Sequence, residues 1–260
     1  RGQGALLRHE VAFALGQMQA AEAVPALVRV VRDASDHEMV RHEAAEALGA
    51  IGEGVALPVL REFKEDPNRA LAETCQLALQ RMEYFQAAEA GSAPAEPEES
   101  PYKSVDPAPA RPVSTPTSDL RKELLDEEAS IFNRYQAMFG LRNQGGVQAL
   151  AALAEAFESG SALLKHELAY VLGQMQDEAA VPALAGVLGD GRQDAMTRHE
   201  AAEALGAIAR PACVRLLEDH VGDPERVVAE SCVVALDILR SETAGEFQYA
   251  AELPEAAATA

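Results

Sequence analysis

The sequence predicts an all-α fold, a solenoid of helical hairpins arranged as two pseudo-symmetric lobes. Three observations predict it: a long internal repeat, a shorter repeat inside each half, and apolar residues spaced three and four apart. The composition agrees, because 48% of the residues are hydrophobic while only 5% are aromatic and Trp is absent. A core built from Ala, Leu and Val suits closely packed helices.

The long repeat relates the two halves of the chain by a shift of 157 residues. The register is kept without a gap, which predicts two homologous lobes. The matching segments include RHEAAEALGAI at 41–51 and 198–208, LGQMQ at 15–19 and 172–176, and Asp66-Pro67 with Asp223-Pro224.

Each half also contains a repeat of 33 residues, which separates His9 from His42 and His166 from His199. Around each of these histidines the apolar residues recur three and four apart, as in an amphipathic helix. A proline then stands where the second helix of each hairpin would begin, a position that tolerates proline. Stacked hairpins of about thirty residues are typical of HEAT-type α-solenoids. The four prolines are Pro25, Pro58, Pro182 and Pro211.

Composition divides the chain into four parts. The N-terminal lobe (residues 1–86) and the C-terminal lobe (119–241) are separated by residues 87–118, which are rich in Pro, Ala, Glu and Ser. We expect residues 87–118 to form a flexible or polyproline-like linker, because they offer little apolar surface to bury, and residues 242–260 to be a disordered tail. The opening of the C-terminal lobe has no counterpart at the shift of 157, so we expect the N-terminal lobe to lack its first repeat.

The charge balance argues against nucleic-acid binding. With 22 Lys and Arg against 42 Asp and Glu, the formal net charge is −20. A nucleic-acid surface needs clustered Lys and Arg, whereas an acidic surface suits cationic partners. We find neither an apolar run of membrane-spanning length nor a secretory leader. The three cysteines do not form the closely spaced, even-numbered set that disulfide-rich secreted domains have, which indicates a reducing compartment such as the cytoplasm. We also expect the protein to be a monomer.

Five of the six histidines are followed directly by glutamate, and four of these pairs fall at equivalent positions of the repeats, whereas His37-Glu38 lies outside the repeat register. A solenoid core has no packing need for His and Glu at the same place in successive hairpins. Burying such groups unpaired is costly, so a cation is expected beside them. The four pairs in register are His9-Glu10, His42-Glu43, His166-Glu167 and His199-Glu200.

The types of ligand narrow the choice of cation. Two imidazoles and one carboxylate are the set used by non-haem Fe(II) sites with open positions, and the lack of thiolate disfavours structural zinc and copper(I). Successive first helices pack roughly 10 Å apart, so their side chains can converge. The two lobes supply the set twice, which predicts two metal ions facing each other across a pseudo-two-fold axis. Glu46 and Glu203, each four residues after a paired histidine, are alternative ligands.

The segments LLKHELAYVLGQMQ, RHEAAEALGAI and RYQAMFGLRN, within two HEAT lobes, resemble the deoxyhypusine hydroxylases over both lobes. In that family a di-iron centre uses O2 to hydroxylate the deoxyhypusine side chain of eukaryotic translation initiation factor 5A. The resemblance therefore implies a monooxygenase of hypusine biosynthesis with two Fe(II) ions as cofactor. It also implies O2 as co-substrate and that factor as protein partner.

The resemblance also implies roles for particular residues. Each iron receives two imidazoles and one carboxylate, and the remaining paired glutamate of each lobe holds the amines of the substrate. One glycine and one methionine per lobe fall at substrate-binding positions, although such residues also serve close helix packing and core filling. The ligands are His9, His42 and Glu43 for one iron and His166, His199 and Glu200 for the other. The catalytic glutamates are Glu10 and Glu167, and the further substrate-binding residues are Gly16, Met39, Gly173 and Met196.

Two other functions fit the same residues. A metal-free HEAT scaffold would bind a protein partner through its concave face. A metal-dependent hydrolase would use Glu10 or Glu167 to activate a bound water.

Overall fold

The computed structural model of the chain describes residues 4–91 and 99–244, which contain helices and no strand. The predicted all-α solenoid is therefore confirmed. No helix in this part of the chain is both long and apolar enough to cross a bilayer. In order, the helices are α1 (Ala5–Gln17), α2 (Val24–Arg32), α3 (Glu38–Ile51), α4 (Leu57–Phe63), α5 (Arg69–Glu89), α6 (Thr117–Leu125), α7 (Ile131–Gln144), α8 (Gly146–Glu155), α9 (Ala162–Met175), α10 (Val181–Gly189), α11 (Ala195–Ile208), α12 (Pro211–Glu218) and α13 (Arg226–Ala244).

The hairpins begin and end at residues that suit these positions. A proline lies in the first turn of α2, α4, α10 and α12, where its missing N–H breaks no helical hydrogen bond. Ser130, Ser161 and Asp194 cap α7, α9 and α11 by accepting a hydrogen bond from a backbone N–H of the first turn. Gly52 ends α3 in the left-handed conformation that glycine adopts without strain.

The first helices of successive hairpins pack against one another and form the inner layer. In the N-terminal lobe these are α1, α3 and α5, and in the C-terminal lobe α9, α11 and α13. The second helices, α2 and α4 in one lobe and α10 and α12 in the other, pack on the outer side of this layer. The core of the C-terminal lobe includes Leu6, Met39 and Leu77 of the other lobe, so the two lobes share apolar contacts.

A glycine lies at each crossing of neighbouring inner helices. A Cβ on Gly16 or Gly173 would meet the Cα of Ala47 at 2.9 Å or of Ala204 at 3.0 Å. The next pair of crossings repeats the arrangement, since Gly49 faces Ala78 and Gly206 faces Ala235. Real Cβ atoms essentially never lie below 3.0 Å from such neighbours, so an added side chain would force the facing helix to shift. The inner helices are therefore as close as glycine allows.

Each lobe places a carboxylate at the start of an inner helix of the other lobe. In one direction, Ser161 at the N-terminus of α9 donates a hydrogen bond of 2.6 Å to Glu73 on α5. In the other direction, Glu230 on α13 lies beside Gly4, which precedes α1. Both carboxylates pair with an arginine four residues earlier, Glu73 with Arg69 and Glu230 with Arg226. Negative charge at a helix N-terminus is stabilising, so these contacts help to hold the lobes together.

The structure corrects the expectation of a flexible linker over residues 87–118. Helix α5 extends to Glu89, α6 begins at Thr117, and the backbone between them is packed from residue 99 onwards. Ala108 is fully buried, and Arg142 makes a buried ion pair with Asp106. We call residues 99–116 the connecting segment. Residues 92–98 of the predicted linker and 245–260 of the predicted tail lie outside the described residues, and α13 continues to residue 244.

The glycine crossings give a prediction for stability. Gly49→Ala adds a methyl group whose carbon would lie 2.6 Å from the Cβ of Ala78, so we expect the free energy of unfolding to fall by about 1–3 kcal/mol. Gly186 is the matched control, because it lies in α10 with open space around it. Gly186→Ala should raise the free energy of unfolding by up to about 1 kcal/mol. Urea unfolding measures both, and equal stabilities of the two variants would contradict the close contact.

Candidate metal centre

The four paired histidines meet where the two lobes meet. Each lies seven residues, about two helical turns, before the glycine at its helix crossing. The close crossings therefore bring the rings together, and the ring of His9 lies 5.0–5.8 Å from the other three rings, measured between centroids. His166 is 5.3 Å from both His42 and His199. The predicted convergence of the two lobes is present.

Two carboxylates enter this cluster in a symmetric way. The Nε2 atom of His9 on α1 lies 3.2 Å from an oxygen of Glu43 on α3, and the Nε2 of His166 on α9 lies 3.3 Å from an oxygen of Glu200 on α11. All four side chains are buried. The first imidazole of each lobe thus meets the carboxylate of the next inner helix.

Several ring nitrogens in the cluster are buried without a hydrogen-bond partner. Both nitrogens of His42 and of His166 are in this state, as is the Nε2 of His9 and of His199. The contacts of His9 and His166 with the glutamates are short but lack hydrogen-bond geometry. An unpartnered buried polar atom costs about 1–3 kcal/mol, and a metal ion accepts such lone pairs. The donor set therefore fits metal ions bound by imidazole and carboxylate.

The pKa values of the imidazoles leave most of these lone pairs free. Burial lowers the pKa of His42 and of His199 well below the usual value, and it lowers the pKa of His166 to about 4. Burial also acts to lower the pKa of His9, but the carboxylates of Glu43 and Glu10 outweigh it and raise that pKa. Three of the four rings are consequently neutral near pH 7, as metal ligands must be.

Groups of ligand atoms within 4.8 Å of one another show how the ions can be held. His166, His199 and Glu200 form one group, which is the set predicted for the second iron. For the first iron the structure groups the residues differently. His42 joins Glu43 and Glu46 in one group, and His9 and His166 in another. All six predicted ligands therefore lie in the cluster, while their division between two ions stays a prediction.

The remaining carboxylates lie around the cluster. Glu10, 43% exposed, is 2.8 Å from Nδ1 of His9, whereas Glu167 is buried and burial raises its pKa well above the usual value. Glu46 and Glu203 each lie four residues after a histidine of the cluster, and burial raises the pKa of both. The site thus holds three buried or half-buried carboxylates, Glu46, Glu167 and Glu203, whose ionised form a nearby cation would stabilise.

A cavity of about 910 Å³ opens onto the cluster. Both lobes and the connecting segment form its walls, and most of the wall is apolar. The cluster and its neighbours contribute the polar part, including all four carboxylates of Glu10, Glu46, Glu167 and Glu203. The apolar wall includes Leu6, Leu7, Phe13, Tyr170, Val233, Val234 and Ile238.

The predicted glycines and methionines have mainly structural surroundings. Gly16 and Gly173 lie at helix crossings, and Gly173 also lines the cavity. Met39 is completely buried in the core that the lobes share. Met196 is buried as well and lines a separate cavity of about 150 Å³ between the lobes. Their geometry accounts for close packing at all four positions, and a role in substrate binding stays a prediction.

The connecting segment contributes residues that we did not predict. Gln17 makes two hydrogen bonds to the backbone of Val105, of 2.8 and 3.3 Å, and Gln174 donates one of 3.0 Å to Ser104. These two glutamines are equivalent in the repeated LGQMQ segments, which was an available signal for a shared role. Ser104 to Pro107 line the cavity, so the glutamines of both lobes hold one of its walls in place.

Comparison with known proteins adds the family to this geometry. A family profile of HEAT repeats matches residues 4–80, and one of the PBS lyase HEAT-like repeat matches residues 134–159, 164–190 and 197–223. Human deoxyhypusine hydroxylase is 54% identical over 246 residues, which are 95% of this chain and 80% of the human protein. The Drosophila melanogaster deoxyhypusine hydroxylase is 46% identical, over 98% of this chain and 83% of its own length. A solved structure of the human enzyme in complex with glycerol superposes with a TM-score of 0.86 over 92% of this chain and 81% of that chain.

The buried ion pair of the connecting segment gives a second prediction. Arg142 is completely buried and its guanidinium lies 2.6 Å from Asp106, so Arg142→Met removes the only ion pair that we find for this carboxylate among the described residues and leaves it a hydrogen bond from Ser104. We expect a loss of about 3–5 kcal/mol in the free energy of unfolding. The half-exposed pair of Arg121 with Glu155 is the control, and Arg121→Met should cost less than about 1 kcal/mol. Equal losses in chemical denaturation would mean that the connecting segment does not depend on this pair.

Proposed function

The chain belongs to the deoxyhypusine hydroxylase family, and we propose that its buried His-Glu cluster binds two iron ions that support the hydroxylation of deoxyhypusine. Hydroxylation of deoxyhypusine is the activity that the relatives' names give. The cluster of neutral, unpartnered imidazoles beside buried carboxylates carries the proposal of a metal centre. Neither a metal-free scaffold nor a hydrolase agrees with membership of this family.

The ligands of the two ions come from both lobes. We assign His9, His42 and Glu43 to one ion, and His166, His199 and Glu200 to the other. When bound, iron(II) supplies the electrons with which O2 is activated, a reaction for which amino-acid side chains have no equivalent. The mostly apolar wall of the cavity lowers the polarity of the surroundings of the ions, and the carboxylates offset the charge of the ions.

The cavity is chemically complementary to a long cationic side chain. Deoxyhypusine is a lysine extended by an aminobutyl group, so methylene chains alternate with amines that are protonated near pH 7. Side chains such as Phe13, Tyr170 and Val234 can pack against the methylenes. Glu10 and Glu167, which flank the cluster on equivalent helices, can hold the ammonium groups and so present one carbon to the centre.

The same features support proposals for the protein substrate, the oligomeric state and the cellular compartment. We propose that the substrate is carried by eukaryotic translation initiation factor 5A, whose modified side chain enters the open, acidic cavity. One chain holds both halves of the centre, which supports a monomer. All three cysteines are free and buried, and burial raises the pKa of Cys75 and Cys232 to about 12, which is consistent with action in the cytoplasm.

The metal centre can be tested by counting metal. We expect two iron ions per chain after anaerobic loading with Fe(II), and His199→Ala should lose one of them together with hydroxylation of a deoxyhypusine-bearing substrate. His220→Ala is the control, since His220 bonds the backbone of Leu216 away from the cluster and should keep both ions. A wild-type chain that binds no Fe(II) would refute the proposed centre.

The role of Glu167 in binding the ammonium groups of the substrate can be tested separately. Glu167→Gln keeps the shape of the side chain but removes the charge, so we expect an unchanged iron content and a rise in KM of roughly 10- to 100-fold. Glu62→Gln, in an exposed pair with Arg32, should leave both quantities unchanged. Loss of iron in Glu167→Gln would instead make Glu167 a metal ligand.

A further inference from the structure

The surroundings of the two equivalent histidines on α3 and α11 differ. In the C-terminal lobe, an oxygen of Glu203 lies 3.4 Å from Nδ1 of His199, within hydrogen-bonding reach. The same oxygen accepts a hydrogen bond of 2.9 Å from the hydroxyl of Ser231 on α13. Nε2 of His199, the other ring nitrogen, is buried and has no hydrogen-bond partner. The chain Ser231, Glu203 and His199 therefore ends in a free nitrogen that points into the cluster.

The N-terminal lobe has the same backbone arrangement but lacks these contacts. The counterpart of Ser231 is Thr74 on α5, and its hydroxyl donates a hydrogen bond of 2.8 Å to the backbone oxygen of Ala70. One oxygen of Glu46, the counterpart of Glu203, is buried without a hydrogen-bond partner. Both ring nitrogens of His42 also lack a partner. The pseudo-two-fold relation holds for the four histidines and fails for the groups behind them.

We propose that Glu203, held by Ser231, is a positioning residue that orients His199 toward its metal ion, and that the two metal positions are therefore unequal. This inference rests on the proposed di-iron centre. An imidazole that donates its Nδ1 proton to a carboxylate has a fixed tautomer and orientation, and its Nε2 becomes a better ligand.

His42 receives no such support. His9, assigned to the same ion, has Glu10 at 2.8 Å from its Nδ1, but Glu10 is 43% exposed. Glu203 is 26% exposed and is also held by Ser231, so Glu10 fixes its imidazole less firmly.

The difference between the two metal positions determines the order in which metal ions fill them. The position formed by His166, His199 and Glu200 binds its ion more tightly, and the position containing His42 fills second. Losing a group of this kind behind a ligand weakens metal affinity about 10- to 100-fold, so the two binding steps are separated by a difference of that size.

Anaerobic titration of the full chain with Co(II), followed by its visible absorption bands, tests this. The wild type should bind two ions in two resolved steps. Ser231→Ala should weaken the tighter step by about 10- to 100-fold and change its absorption bands. Thr74→Ala, the matched control at the equivalent position, should leave both steps unchanged, because that hydroxyl contacts only the backbone.

A second variant guards against a folding defect in Ser231→Ala. Glu203→Gln keeps the volume and removes the charge, and it should weaken the same step while thermal unfolding stays cooperative. Two equal steps in the wild type, or equal losses in Ser231→Ala and Thr74→Ala, would overturn the inference and leave the metal centre standing. Absence of any Co(II) binding by the wild type would refute the proposed centre itself.

Discussion

The structure depends on the close approach of neighbouring inner helices at glycine. Each crossing sets a glycine against an alanine, and no larger side chain fits between the backbones. Two helical turns before each of the four glycines lies a histidine of the cluster. The spacing that lets the solenoid pack tightly is thus the spacing that lets an imidazole on one helix meet a carboxylate on the next. Wider crossings would separate His9 from Glu43 and His166 from Glu200, which now lie 3.2 and 3.3 Å apart.

Duplication brings two His-Glu sets together in one cluster, but the residues behind the histidines differ between the lobes. The lobes exchange carboxylates at the starts of α1 and α9, the two helices that begin the cluster, and the glutamines of LGQMQ hold the connecting segment between them. These contacts preserve the pseudo-two-fold relation. Behind the histidines the relation is lost, because Ser231 bonds Glu203 whereas Thr74 bonds its own helix. A symmetric scaffold can therefore carry an asymmetric pair of metal positions.

The repeats account for how much of this could be predicted from the sequence. The shift of 157 residues and the spacing of 33 predict the helices, the two lobes and the meeting of four histidines, because repetition preserves position. The connecting segment was predicted wrongly, since its composition suggests little apolar burial, yet Arg142 and Asp106 bury a charge pair within it and Ala108 is enclosed. The grouping of His166 with His9 and His42 depends on the angle between lobes, which no local pattern records. The direction of a Ser or Thr hydroxyl is likewise set by packing.

Electrostatics explains why the centre and the fold belong together. Burial raises the pKa of carboxylates such as Glu167 and Glu200, and neighbouring carboxylates add to the rise, so both groups are driven to take up a proton. The two ions that we propose would change this balance, since they would satisfy the imidazole nitrogens and keep the carboxylates ionised at once. Ligands that are present only in the folded chain convert metal affinity into folding stability. The proposed ions would therefore strengthen the contacts that join the lobes, and the acidic cavity would keep negative charge for the cationic substrate that we propose.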